Sequence, residues 1–271
     1  MAILDKILKF KRREVAEKKS LITVKYLENS IYFNSQTLSL KKYVLRADKS
    51  GIIAEIKRKS PSRGILNTNV SMEQTSIGYM QAGASAISVL TDSNFFGGFV
   101  DDLTTARKFN FCPILRKDFI LDEYQVIESK SIGADAILLI ASGLDSGKLK
   151  SLASLAHSLG LEVLFEIHSE KELKKIGEQE IDLVGINNRN LDTMETNLSK
   201  SEELVSKIPE GLTKVSESGI KTPDDVLHLK ELGFHGFLIG EQFMIHPRPE
   251  EACCEFIEKV LVKQKNPISH E

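Results

Sequence analysis

The sequence predicts an α/β protein, a (β/α)8 TIM barrel with an N-terminal helical extension. Three observations predict it. Short apolar runs recur eight times along the 271 residues, each followed by a polar amphipathic stretch. The runs are continuous in Ile, Val and Leu without strict alternation, as strands covered on both faces read. The stretches between them carry helix start and stop residues in a repeating form. Eight strand-then-helix units imply a closed parallel barrel, and such barrels of about 250 residues form one domain.

Residues 1–46 precede the first strand. Ile3, Leu4, Ile7 and Leu8 fall on one helical face, which Val15 roughly continues. This predicts one or two helices lying against the barrel. The eight runs are "GIIAEIK" from 51, "AISVLT" from 86, "FCPILRKDF" from 111, "DAILLIA" from 135, "LEVLFEI" from 161, "IDLVGIN" from 181, "LTKVSES" from 212 and "HGFLIG" from 235. Between them, Ser71, Asp122 and Thr222 are N-cap candidates, Pro223 suits a first helical position, and Gly83, Gly133 and Gly233 suit helix ends. Residues 262–271 are polar and predicted to fray. The division is therefore 1–46 extension, 47–261 barrel and 262–271 tail, in one structural domain. A doubly wound sheet would show a Gly-rich turn after its first strand, and "KRKSPSRG" is not that turn.

Composition narrows the function classes. The net charge of −2 gives no general pull toward nucleic acid or an anionic membrane. No apolar run reaches the length of a membrane span, and the N-terminus lacks the apolar core of a signal peptide. The three cysteines, Cys112, Cys253 and Cys254, form no C-x-x-C pair. A reducing cytoplasm fits them, and neither a metal site nor a disulfide framework is expected.

In a barrel of this kind the chemistry gathers at the C-terminal strand ends. Those ends offer Glu55, Lys57, Lys59 and Ser60; Phe95 and Phe96; Arg116, Lys117, Asp118 and Phe119; Glu166; Asn187 to Asn190; Glu217, Ser218 and Gly219; and Gly240 and Glu241. A lone Lys at a strand end is usually a solvated charge, a reading that weakens when several strands converge on one mouth. The glycines after strands seven and eight suit a phosphate, since backbone N–H groups can then approach its oxygens closely.

"IIAEIKRKSPSRG" resembles the signature segment of the indole-3-glycerol phosphate synthase family of tryptophan biosynthesis. "ILRKDFILDEYQV", "GADAILLIA", "LFEIH", "GINNRNL", "SESGI" and "GFLIGEQFM" resemble the family's other segments in the same order, from about residue 3 to 259. The resemblance implies a carboxy-lyase that closes the ring of 1-(2-carboxyphenylamino)-1-deoxyribulose 5-phosphate. It releases carbon dioxide and water and uses no metal or organic cofactor. It implies Lys117 as general acid at the ketone oxygen and Glu166 as base, or as the group that helps expel the hydroxyl. Lys57 contacts the substrate carboxylate and shares the acid roles with Lys117 in a division left open. Glu55 and Asn187 orient lysines and hydroxyls, and Arg189 lies near the carboxylate end. Ser60 lines the site, and Phe96, Phe119 and Leu139 wall the aromatic ring. Lys59, Ser218, Gly219, Gly240 and the backbone of Glu241 hold phosphate, with the Glu241 side chain pointing away. A lysine acid calls for a pKa lowered toward neutrality, which neighbouring Lys57, Arg58 and Lys59 would favour and Glu55 would oppose. The partner implied is a phosphorylated small molecule, with other tryptophan-pathway enzymes as further candidates and the chain itself a monomer. A phosphoribosyl isomerase barrel would share the phosphate loops but not explain "EIKRKSPS" or "LRKDF". A non-catalytic phosphate-binding scaffold would leave the full set of polar strand ends without a use.

Overall fold

The computed structural model describes residues 3–177, 181–190 and 193–265. Eight parallel strands close a barrel in sequence order. They are β1 Ile52–Ile56, β2 Ala86–Leu90, β3 Ile114–Lys117, β4 Ala136–Ile140, β5 Glu162–Ile167, β6 Leu183–Asn187, β7 Thr213–Glu217 and β8 Gly236–Ile239. Each falls inside one of the eight predicted runs. β1 pairs with β8, which joins the sheet end to end.

The two-residue period of a strand splits the core in two. Ile52, Ala54 and Ile56 of β1, with Ile137 and Leu139 of β4, face the surrounding helices. Ile53, Leu115, Leu138, Ile140, Leu164, Val215 and Leu238 fill the barrel interior. The helix Met72–Gln81 starts at Ser71, whose hydroxyl accepts from the Gln74 N–H. Glu123–Ser131 starts at Asp122, and Pro223–Glu231 at Thr222 with a reciprocal bond from Asp225. Gly83, Gly133 and Gly233 follow their helix ends at φ of 91°, 91° and 95°, a conformation that favours glycine.

Ahead of β1 lie helices Ile3–Leu21, Val24–Glu28 and Leu40–Val44. The first buries Ile7, Leu8, Lys11 and Val15, so its inward stripe holds a lysine among apolar residues. Leu40 and Val44 join the interior cluster. The last helix runs Pro249–Lys265, so residues 262–265 are helical and not part of a frayed tail; 266–271 lie outside the described residues. No helix of the described residues is long and apolar enough to cross a membrane.

Candidate active site

Strand alternation carries the interior face directly into the chemistry. Beyond Ile53 the next inward positions are Glu55 and Lys57. Beyond Leu115 come Lys117 and Phe119, beyond Leu164 comes Glu166, and beyond Leu183 come Gly185 and Asn187. Val215 leads to Glu217, and Leu238 leads to Gly240. Of these, Glu55, Lys57, Lys117, Phe119, Glu166, Asn187 and Gly240 line a cavity of about 450 Å³ at the C-terminal strand ends.

Lys117 lines its wall. Its Nζ lies 3.3 Å from Glu166 Oε2 and 3.1 Å from Glu217 Oε2. Glu55 Oε1 is 2.6 Å from Lys57 Nζ. Burial alone would lower the pKa of Lys117, but Glu217, Glu166 and Glu55 together hold it well above the ordinary lysine value. The expected lowering toward neutrality is therefore reversed. Of the neighbouring cations invoked for it, Arg58 turns outward to Asp102 at 2.5 and 2.9 Å.

The carboxylates divide. For Glu166, burial is opposed by Lys117, His168 and Asn187, which leave it below its ordinary value and ionised at neutral pH. For Glu217, burial wins over Lys117, Glu166 adds to it, and the carboxyl is pushed up to about 7. The strand-end position of Glu217 is legible in the sequence, but its role is not. Its signal was Gly185. A Cβ at that inward position would meet Glu217 Oε1 at 2.1 Å, so the glycine leaves room for the carboxylate.

The phosphate-loop candidates gather at one side. Ser218 and Gly219 have φ of 67° and 82°, so consecutive residues take left-handed backbone, and for Ser218 that is strained. A Cβ on Gly219 would meet Thr196 Cγ2 at 2.5 Å, and one on Gly240 would meet Glu55 Oε1 at 2.7 Å. The short helix Glu241–Met244 follows Gly240 directly. The Glu241 side chain does not point away from the mouth. It lines the cavity, with Arg63 Nε at 2.9 Å and Arg189 Nη2 at 3.3 Å. Arg189, expected near the carboxylate end, is thus tied beside the loop after β8.

Across the cavity, the Phe96 and Phe119 rings lie 6.0 Å apart, with Ile7 of the first helix also in the lining. Ser60 lines the mouth in a small antiparallel ribbon, Lys59–Ser60 against Gly64–Ile65. Two expected residues are elsewhere. Leu139 is buried on the outer face of β4 among helix side chains, while its neighbours Leu138 and Ile140 reach the cavity. A one-residue step exchanges the faces of a strand. Lys59 donates to the Asn94 carbonyl at 2.8 Å, beside the loop after β2, and does not reach the phosphate loops. The expected segment "GINNRNL" runs into residue 191, which lies outside the described residues. Among the described residues, no three His, Cys, Asp or Glu side chains are arranged to hold a metal ion.

The family model for indole-3-glycerol phosphate synthase matches residues 4–256. The chain belongs to the indole-3-glycerol phosphate synthase family. An indole-3-glycerol phosphate synthase of Bacteroides thetaiotaomicron is 47% identical over 258 residues, covering 95% of this chain and 98% of the relative. One from Caldanaerobacter subterraneus subsp. tengcongensis is 43% identical over 260 residues, with the same coverage of 95% and 98%. Among solved structures, tryptophan synthase subunit alpha from Legionella pneumophila aligns with a TM-score of 0.61 at 13% identity, over 84% of this chain and 99% of its own. A chain of the tryptophan synthase complex of Pyrococcus furiosus aligns at 0.59 and 16%, over 79% and 99%. At those identities the likeness shows the barrel fold alone. Family membership makes the chain a lyase of tryptophan biosynthesis.

Proposed function

We propose that this cavity closes the indole ring of 1-(2-carboxyphenylamino)-1-deoxyribulose 5-phosphate, with Lys117 as the proton donor and Glu166 as the base. The observation that carries the reading is the position of Lys117: an ammonium on the cavity wall between an ionised Glu166 and a titratable Glu217. The aryl ring lies against Phe96 and Phe119, and the phosphate lies on the backbone of Ser218–Gly219 and Gly240–Glu241. Lys57, held by Glu55, faces the substrate carboxylate. Asn187 and Glu55 fix the bases and hydroxyls around the reacting carbons.

In the first step the ring carbon bearing the carboxylate bonds to the ketone carbon, and charge gathers on the ketone oxygen. Lys117 meets that oxygen as an ammonium, first stabilising the charge and then giving up a proton. Carbon dioxide leaves with its bonding pair returning to the ring. The new hydroxyl then takes a second proton, from Lys57, and departs as water, and Glu166 removes the proton whose loss makes the indole aromatic. Glu217, 3.1 Å from Lys117, hands a proton back to it between turnovers. This is general acid–base catalysis by the chain's own side chains.

Incubating the purified chain with this substrate and following indole fluorescence tests the reading. Appearance of indole-3-glycerol phosphate with equimolar carbon dioxide is expected. An isomeric aldose product, an N-aryl ribosylamine, without indole would favour the isomerase barrel, and binding with no turnover would favour the scaffold.

A further inference from the structure

Lys11 takes no part in the site above, yet it is fully buried, at 0% exposure, on the inward stripe of the helix Ile3–Leu21. Its Nζ lies 2.9 Å from Asp92 Oδ2, 3.0 Å from Asp118 Oδ1 and 2.9 Å from Glu14 Oε2. Burying an ammonium is costly unless ion pairs compensate it, and here they come from two different strand ends. Both of those ends present an aromatic residue to the cavity. Asp92 caps the turn Ser93–Phe96, accepting from the Phe95 and Phe96 N–H groups at 2.7 and 3.3 Å. Asp118 accepts from the Phe119 N–H at 2.8 Å. The same helix lays Phe10 edge-on to Phe95, with ring centroids 5.8 Å apart, and places Ile3, Leu4 and Ile7 in the cavity wall.

We propose that Lys11 is a positioning residue for the aryl end of the substrate: its ion pairs tie the N-terminal helix to the Asp92 turn and to Asp118, so that Ile7, Phe96 and Phe119 form one slot. The proposal rests on the reading that this slot takes the aryl ring. The two anchors differ in what else holds them. Asp118 keeps Thr91 at 2.6 Å and Arg116 at 3.2 Å when Lys11 is lost. Asp92 has Lys11 as its one salt-bridge partner among the described residues, its remaining bonds being to the backbone of its own turn. Removing Lys11 therefore loosens Phe96 and the helix far more than it moves Lys117.

The test is Lys11→Met, with Phe96→Ala as a parallel variant. KM for the substrate should rise about 10-fold or more, while kcat stays within about threefold of the parent, because a binding wall and not the acid has moved. The inhibition constant of inorganic phosphate, which reports the opposite side of the cavity, should stay within about twofold. If Lys11→Met does not fold, Lys11→Met with Asp92→Asn removes the stranded buried charge, and the same KM and phosphate values are expected of it. An unchanged KM in the variant that folds overturns the proposal, as does a phosphate constant that rises in step with KM. If Phe96→Ala raises KM and the Lys11 variant does not, the inference alone fails. If Phe96→Ala leaves KM unchanged, the aryl-slot reading falls and the inference falls with it.

Discussion

Two buried charge clusters lie back to back across β3, and the tripeptide Arg116–Lys117–Asp118 feeds both. Arg116 and Asp118 turn outward, where Arg116 meets Glu128 at 2.6 Å and Asp118 at 3.2 Å, and Lys11 arrives from the first helix. Lys117 turns inward to Glu166 and Glu217. Asp118 and Glu217 are equally buried, at 2% and 1% exposure, but their carboxyls shift in opposite directions. Burial pushes both up. Asp118 is brought far below the ordinary range by Lys11, Arg116 and the Thr91 hydroxyl, and its Oδ1 also accepts from the Phe119 N–H. Among the described residues Glu217 has only Lys117, which Glu166 also claims, and neither of its oxygens accepts a well-formed hydrogen bond. Burial is common to both places, so partner count decides the outcome. A saturated cluster holds structure, and a carboxylate left short of partners holds a proton that can move.

Breaking the outer cluster should cost the most. Arg116→Met leaves Glu128 with Lys18 alone, at 3.3 Å, and Asp118 with fewer partners, and loss of one member of a buried ion pair costs about 3–5 kcal/mol. The melting temperature should fall by roughly 10 °C. Because Arg116 points away from the cavity, turnover measured well below that temperature should stay within about threefold. A large turnover loss at full stability would erase the distinction between the clusters.

Lys117→Met attacks the inner one. Single-turnover indole formation should fall at least ~100-fold, with substrate affinity weakened much less. The variant also leaves Glu55, Glu166 and Glu217 without their shared cation. Its stability should therefore drop at neutral pH and recover in mild acid, as seen in melting curves. Near-normal turnover would pass the acid role to Lys57.

The pH dependence sharpens the contrast. Glu217 has a folded pKa of about 7, above its unfolded value, so its contribution to stability is present in acid and is lost as pH rises through about 7. Asp118 is depressed, so its contribution is present above its unfolded pKa and is lost as pH falls toward its folded value. Glu217→Gln should flatten the loss of stability between about pH 4.5 and 7 and slow turnover, whereas Asp118→Asn should weaken the protein at neutral pH. Denaturant titrations across pH read both, and identical profiles for the two variants would count against the assignment. The smallest effect belongs to Lys59→Met. With its ammonium on the Asn94 carbonyl, KM and phosphate inhibition should change by no more than about twofold. A larger change would return Lys59 to the phosphate site.

The architecture and most of the mouth are legible in local sequence signals. Strand runs, caps such as Ser71 and Thr222, and the stops at Gly83, Gly133 and Gly233 are local signals, written within a few residues of where they act. The alternation that puts Lys117 and Phe119 on one face is local too. Tertiary structure decided what depends on distances between residues far apart in the chain. It chose which of Leu138, Leu139 and Ile140 face inward, and it sent Lys59 to Asn94 and Arg189 to Glu241. It placed Lys11 against Asp92 and Asp118, pairs that span about eighty and a hundred residues of sequence. It also set the direction of the Lys117 shift. The expected cations, Lys57, Arg58 and Lys59, argue for a lowered pKa, but Coulomb interactions follow separation in space, and Glu55, Glu166 and Glu217 are the charges that stand close.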